Sequence, residues 1–187
     1  MIFWITFILG FGYLAFELYL LASRRGREPI AGDDRGTLPW IWMLIIGSCL
    51  FGFFVATRFS FFRWPQELWI AILADLLILA GFTFRLWAIL HLGKLFTVDV
   101  GIQRGHRVVQ DGPYRLVRHP SYAGGMMAMT GIACLTFNWL GFVVIVVCCF
   151  AAYTIRISVE ENVLMKNLGD DYRRYAAQTK RLIPWIF

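Results

Sequence analysis

The chain has 187 residues, 59% apolar and 16% charged, with a formal net charge of +6 at pH 7. Soluble domains average roughly 45–50% apolar and about 25% charged, and the mean hydropathy here is +0.62. These proportions exclude a disordered chain, argue against an ordinary soluble domain, and leave lipid as the solvent for much of the sequence. The positive charge does not point to nucleic acid, because the basic residues sit in short clusters between apolar runs, as membrane flanks do. Cys49, Cys134, Cys148 and Cys149 all lie inside apolar runs, with no CxxC and no metal-binding spacing; they read as small buried hydrophobes.

A bilayer core of about 30 Å takes about 20 apolar helical residues. Residues 2–22 satisfy this with Glu17 as their single charge, residues 40–57 carry none, and residues 69–90 hold Asp75 and Arg85. The first run has no basic segment before it, and Arg24, Arg25 and Arg27 follow it, so it is expected to be a span and not a signal peptide. The apolar stretch over 121–155 is too long for one helix and suits a tight helical hairpin turning at Asn138. The sequence therefore predicts an all-α integral membrane protein, a single polytopic domain of about five transmembrane helices. The spans are 2–22, 40–57, 69–90, 121–137 and 139–156.

Five spans put the termini on opposite sides. The loop 23–39, the segment 91–120 and the tail from Arg156 fall on one side with fifteen Lys and Arg residues, against Arg58 and Arg63 on the other. The excess of positive charge inside predicts an external N-terminus, with the 91–120 segment and the tail cytoplasmic. The predicted hairpin brings these two polar stretches together.

Charges inside spans are expensive and are functional candidates by default. Glu17 and Arg85 lie at similar depth, so pairing and independent snorkelling both remain open. Asp75 reads as a structural acid. After the third span, Phe96–Val100 looks extended and Asp111-Gly112-Pro113 reads as a turn. Pro120 suits a first helical turn, which crowds His119, Ser121 and Tyr122 at a helix N-terminus able to hold an anion. Gly124 and Gly125 admit either close helix packing or a ligand. Further on, Arg156 and Glu160 are four residues apart, on one helical face. Glu160 and Glu161 repel each other unless a cation sits beside them, and Arg156 supplies only part of that compensation. Anion-binding groups beside cation-binding acids suit a ligand that carries both an amine and a carboxylate, and Tyr114 and Tyr122 offer aromatic faces to a sulfonium.

The string from His106 through Asp111-Gly112-Pro113-Tyr114 to Arg118-His119-Pro120-Ser121-Tyr122-Ala123-Gly124, followed by a hairpin and then Glu160-Glu161, resembles the isoprenylcysteine carboxyl methyltransferase family. That family is related to the membrane phospholipid N-methyltransferases. Leu168-Gly169-Asp170-Asp171-Tyr172 and Arg181-Leu182-Ile183-Pro184 extend the likeness, which covers roughly 94–187. The resemblance implies S-adenosyl-L-methionine as methyl donor, in a cytoplasmic site built from segments 94–122 and 156–187. It implies that His106, Arg107, Val108, Val109, Tyr114, His119, Pro120, Ser121 and Tyr122 line the cofactor, with Asp99 at a further contact position and Glu160 on the amino group. It assigns Arg156 to the acceptor and leaves Glu161 or His119 as a base should the acceptor need one.

The expected acceptor is the carboxylate of an isoprenylcysteine-like or other lipophilic molecule. A lipid amine, a small thiol and a non-catalytic scaffold are the alternatives. The bilayer is the expected surroundings, nucleic acid is not an expected partner, and the oligomeric state stays open. The tail, with Leu164 and Leu168 four residues apart and an apolar end from Leu182 to Phe187 that includes Trp185, is expected to form a helix that closes the cofactor site and then an anchor at the membrane surface.

Overall fold

The computed structural model describes residues 2–23, 36–102, 105–184 and 186–187. Arg24, Arg25, Arg27 and Arg35 of the first basic cluster, Arg104, and Trp185 of the expected anchor lie outside the described residues. Five α-helices account for the membrane body: α1 (Ile2–Ser23), α2 (Thr37–Arg58), α3 (Leu68–Leu92), α4 (Pro120–Cys134) and α5 (Trp139–Gln178). Each of the five predicted spans falls on a helix, though two of the helices end elsewhere than expected. Four of them, α1, α2, α3 and α5, are long and apolar enough to cross a bilayer. Large side chains such as Ile8, Trp40 and Leu50, between 66% and 72% exposed, coat the outside of the bundle, as lipid-facing residues do.

Two helices depart from the expected bounds. The fourth ends at Cys134, not 137, and its 15 residues rise about 22 Å, short of a hydrocarbon core of about 30 Å. Thr136 and Asn138 take over there: the Asn138 side chain accepts from the amides of Leu140 and Gly141 at 3.0 and 3.1 Å, an N-cap for α5. Asn138 also donates to the Phe59 carbonyl at 2.9 Å. The fifth helix runs 40 residues, well past the bilayer, and breaks at Gly169, whose φ of 56° and ψ of −128° are non-helical.

Small residues set the helix packing. A Cβ on Gly81 of α3 would stand 2.5 Å from both the Ala128 nitrogen and the Gly124 oxygen of α4, and one on Gly131 would stand 2.6 Å from the Ala74 oxygen. Backbones this close gain dispersion that bulky side chains would prevent, which is how helices associate when lipid removes the hydrophobic drive. The α4–α5 pair is a hairpin in connectivity, but α4 packs mainly on α3 and α5 mainly on α2. Asp75 accepts from Thr6 at 3.0 Å, a structural contact between α3 and α1.

The chain ends sort by face. At one end the 59–67 loop meets the α4–α5 turn: Arg63 bridges to Asn138, Trp64 donates to the Phe137 carbonyl at 3.1 Å, and the Trp64 and Trp139 rings lie 4.5 Å apart. At the other end the 93–119 segment meets the tail. Val117 bridges Lys180 in parallel, and the amides of Arg118 and His119 donate to the carbonyls of Lys180 and Arg181 at 2.7 and 3.0 Å.

Candidate functional site

The segment after α3 is tied back to that helix through its 111–114 turn. His91 of α3 lies 3.1 Å from Asp111. Gly112, at φ 56°, leaves room for the His91 ring, which a Cβ there would meet at 2.6 Å. Tyr114 follows in a short 3-10 turn, buried, donating to the Ala88 carbonyl at 3.3 Å and accepting at its own carbonyl from Tyr175 at 2.6 Å. The expected turn at Asp111-Gly112-Pro113 is thus the hinge that folds the segment back over the end of α3 and under the tail.

Between this segment and the far part of α5 lies a cleft enclosing about 870 Å³ of empty space, open to solvent. His106, Arg107, Val108, Val109, Tyr114, His119, Ser121, Tyr122 and Glu160 line it, together with Asp99. Pro120 does not: it is buried at the start of α4, fixing the helix that presents its neighbours. Tyr122 donates to Glu160 at 2.8 Å, and His119 Nδ1 lies 3.9 Å from the same carboxylate. Burial of the His106 ring, partly offset by the charge of Glu160, lowers its pKa below the usual histidine value.

Leu164 and Leu168 stand where a tail helix was expected to close the site, while Val163 and Tyr175 beside them were not singled out from the sequence. Val163, Leu164, Leu168, Tyr172 and Tyr175 close the cleft from the tail side. For Val163, Leu164 and Leu168 the spacing of one and four residues was the available signal, since it puts them on one helical face; Tyr172 and Tyr175 follow the break at Gly169. The lid expected of the tail comes from this stretch of α5.

Glu161 is placed differently from Glu160. It is 2% exposed and absent from the cleft wall. Arg118 Nε approaches one carboxylate oxygen at 2.8 Å and His119 Nε2 the same oxygen at 3.3 Å, while Arg181 Nη2 reaches the other at 2.7 Å. Arg118 also donates to the carbonyls of Ala176 and Thr179. The cations that offset Glu161 are Arg118 and Arg181, not Arg156. Glu161 therefore fastens the tail to the 118–119 segment, a position that does not suit the base expected of it.

Arg156 lines a second cavity, bordered by residues of all five helices, with about 700 Å³ of empty space that includes some open solvent. It is 2% exposed and donates to Thr37 Oγ1 at 2.9 Å and to the Val98 carbonyl at 2.6 Å. Phe96, Thr97, Val98, Ser121 and Tyr122 border both cavities. Glu17 and Arg85 also line the inner one, and they pair: Arg85 Nε lies 2.6 Å from Glu17 Oε1, and Nη2 donates to Oε2 at 2.9 Å.

Fold and site together define an integral membrane protein with a cleft at one face that adjoins a second cavity among its helices. The chain belongs to the phospholipid methyltransferase family, which it matches over residues 69–171. It is 29% identical over 123 residues to the protein-S-isoprenylcysteine O-methyltransferase B of Arabidopsis thaliana, covering 65% of this chain and 62% of that protein. It is 32% identical over 108 residues to the Schizosaccharomyces pombe enzyme of the same name, 57% of this chain and 46% of that one. A methanethiol S-methyltransferase of Bradyrhizobium diazoefficiens is 35% identical over 77 residues, 38% of this chain and 24% of that enzyme. The solved structure of a eukaryotic intramembrane isoprenylcysteine carboxyl methyltransferase superposes with a TM-score of 0.65 at 25% identity, covering 79% of this chain and 53% of that one. The chain thus spans under two thirds of the length of these relatives.

Proposed function

We propose that the protein transfers a methyl group from S-adenosyl-L-methionine to the carboxylate of an isoprenylcysteine-like or other lipophilic acceptor at the membrane surface. The observation that carries this reading is the pair of adjoining cavities, one between the 93–119 segment and the tail, the other bordered by all five helices of the membrane body. A water-soluble donor and a lipid-soluble acceptor meet at such a junction, and a soluble fold would serve one of them poorly.

The cleft fits the donor. His106 Nδ1 and Tyr172 Oη are buried in its wall and, among the described residues, have no hydrogen-bond partner. Leaving such groups unpaired costs about 1–3 kcal/mol each, a cost that a polar ligand removes. Glu160 would hold the donor's amino group, and Tyr114 and Tyr122 offer aromatic faces. His106, Arg107, Val108 and Val109 would line one side of the donor, with His119 and Ser121 opposite. S-adenosyl-L-methionine, when bound, supplies an electrophilic methyl group.

A carboxylate is already nucleophilic at neutral pH, so the chain's own work is alignment and exclusion of water. Arg156, anchored by Thr37 and Val98, would grip the acceptor carboxylate in the forked geometry that guanidinium allows. Glu161 would act as a positioning residue, holding His119 and the tail wall. With the basic segments inside, the cleft and C-terminus face the cytoplasm and the N-terminus faces out.

Acceptor profiling with labelled cofactor tests the reading, because among the candidate products only a methyl ester is base-labile. The expected result is base-labile label on a lipophilic carboxylate, abolished by Arg156→Ala with cofactor affinity nearly unchanged. Base-stable label on an amine or thiol overturns the choice of acceptor. Loss of cofactor binding alone in Arg156→Ala overturns the role of that residue.

A further inference from the structure

The inner cavity is not uniformly apolar. Six polar side chains line it besides Arg156 and Thr97: Tyr13, Glu17, Arg85, Ser121, Tyr122 and Tyr153. Arg85, gripped by Glu17, also donates through Nη1 to the Ser121 hydroxyl at 2.8 Å and to its carbonyl at 2.9 Å. Tyr13 and Glu17 lie one turn apart on α1. A Cβ on Gly125 would stand 2.7 Å from the Tyr153 hydroxyl and 3.6 Å from that of Tyr13, so both hydroxyls converge on this glycine. The cluster joins α1, α3, α4 and α5 within the bilayer body.

An ion pair buried among helices is about neutral for stability against well-packed apolar residues. Stability therefore does not account for one on a cavity wall, and intramembrane charges mark ligand paths. On α1 the lining runs from Tyr13 to Leu21, about 12 Å by helical rise and roughly the length of a ten-carbon chain. Glu17 falls halfway. A hydrocarbon chain laid over it would strip water from charged groups without offering a hydrogen bond in return.

We propose that the inner cavity selects an acceptor with a hydrogen-bonding group, a hydroxyl or carbonyl, midway along its apolar body, read by Glu17, Arg85, Tyr13 and Tyr153, over one with an uninterrupted hydrocarbon tail. This rests on the methyl-transfer reading only for placing the acceptor carboxylate at Arg156.

The test is calorimetric titration of the full chain in detergent with decanoate and with its mid-chain hydroxy and keto derivatives, beside a separate titration with S-adenosyl-L-methionine. A derivative should bind about tenfold tighter than decanoate, the worth of one good hydrogen bond. Tyr13→Phe/Tyr153→Phe should reduce that preference. Glu17→Leu/Arg85→Leu, which leaves no orphan charge, should abolish it. Equal or tighter binding of decanoate overturns the inference even if neither variant folds, since the wild type decides it. No binding of any probe while the cofactor binds also overturns it and leaves methyl transfer standing. Discrimination without cofactor binding upholds it and removes methyl transfer instead.

Discussion

Glu160 and Glu161 are adjacent and chemically identical, yet the structure gives them opposite work, and neutralising each in turn separates the two. Glu161→Gln keeps the shape and removes the charge facing Arg118 and His119, side chains only 11% and 4% exposed, and Arg181. Removing one partner of a buried ion pair costs about 3–5 kcal/mol, mostly because the remaining charges are left uncompensated. Glu160 is 32% exposed and keeps its hydrogen bond from Tyr122 when changed to Gln, so solvent screening limits the loss to about 1 kcal/mol or less. Reversible denaturation of detergent-purified protein in mixed micelles measures both. Cofactor affinity should run the other way. Glu160→Gln weakens it about tenfold or more through loss of a charge-assisted contact, at a temperature where Glu161→Gln is still folded and binds. Equal destabilisation by the two variants, or a larger loss at Glu160, would refute the division of labour.

Three further outcomes follow from the packing and the site. Gly81→Val should prevent α3 and α4 from closing, because even its Cβ would stand 2.5 Å from two backbone atoms; yield of monodisperse protein and the unfolding midpoint report it. Asn138→Ala removes the α5 cap and the bond to Phe59, for a loss of about 1–3 kcal/mol in the same denaturation assay. His106 has a folded pKa below its unfolded value because of burial, so the unfolded chain takes up the proton first as pH falls. Its contribution is full above pH of about 6.5, the unfolded value, and is lost as pH drops through the folded value. His106→Gln should flatten stability against pH across that window, and an unchanged slope would count against it.

The helices were legible because runs of about 20 apolar residues have few other fates. Pro120 and Asn138 marked the hairpin through their own backbone chemistry. The early end of α4 was not legible, since Leu135 and Phe137 are as apolar as the helix before them. Depth alone left Glu17 and Arg85 within reach but not in phase: pairing depends on how α1 and α3 are rotated, which tertiary contacts decide. The cleft residues from His106 to Tyr122 were readable as one continuous string. Glu161 was not, because neighbours on a helix point about 100° apart, one into the cleft and the other into the tail clamp. Tyr172 and Tyr175 lie beyond the break at Gly169, where helical spacing could not be carried through with a fixed phase.

The account stands most directly on calorimetric titration of S-adenosyl-L-methionine into detergent-purified wild type, with Glu160→Gln and His119→Ala alongside. It predicts saturable one-to-one binding that both variants weaken. A folded wild-type protein that takes up no S-adenosyl-L-methionine would contradict it.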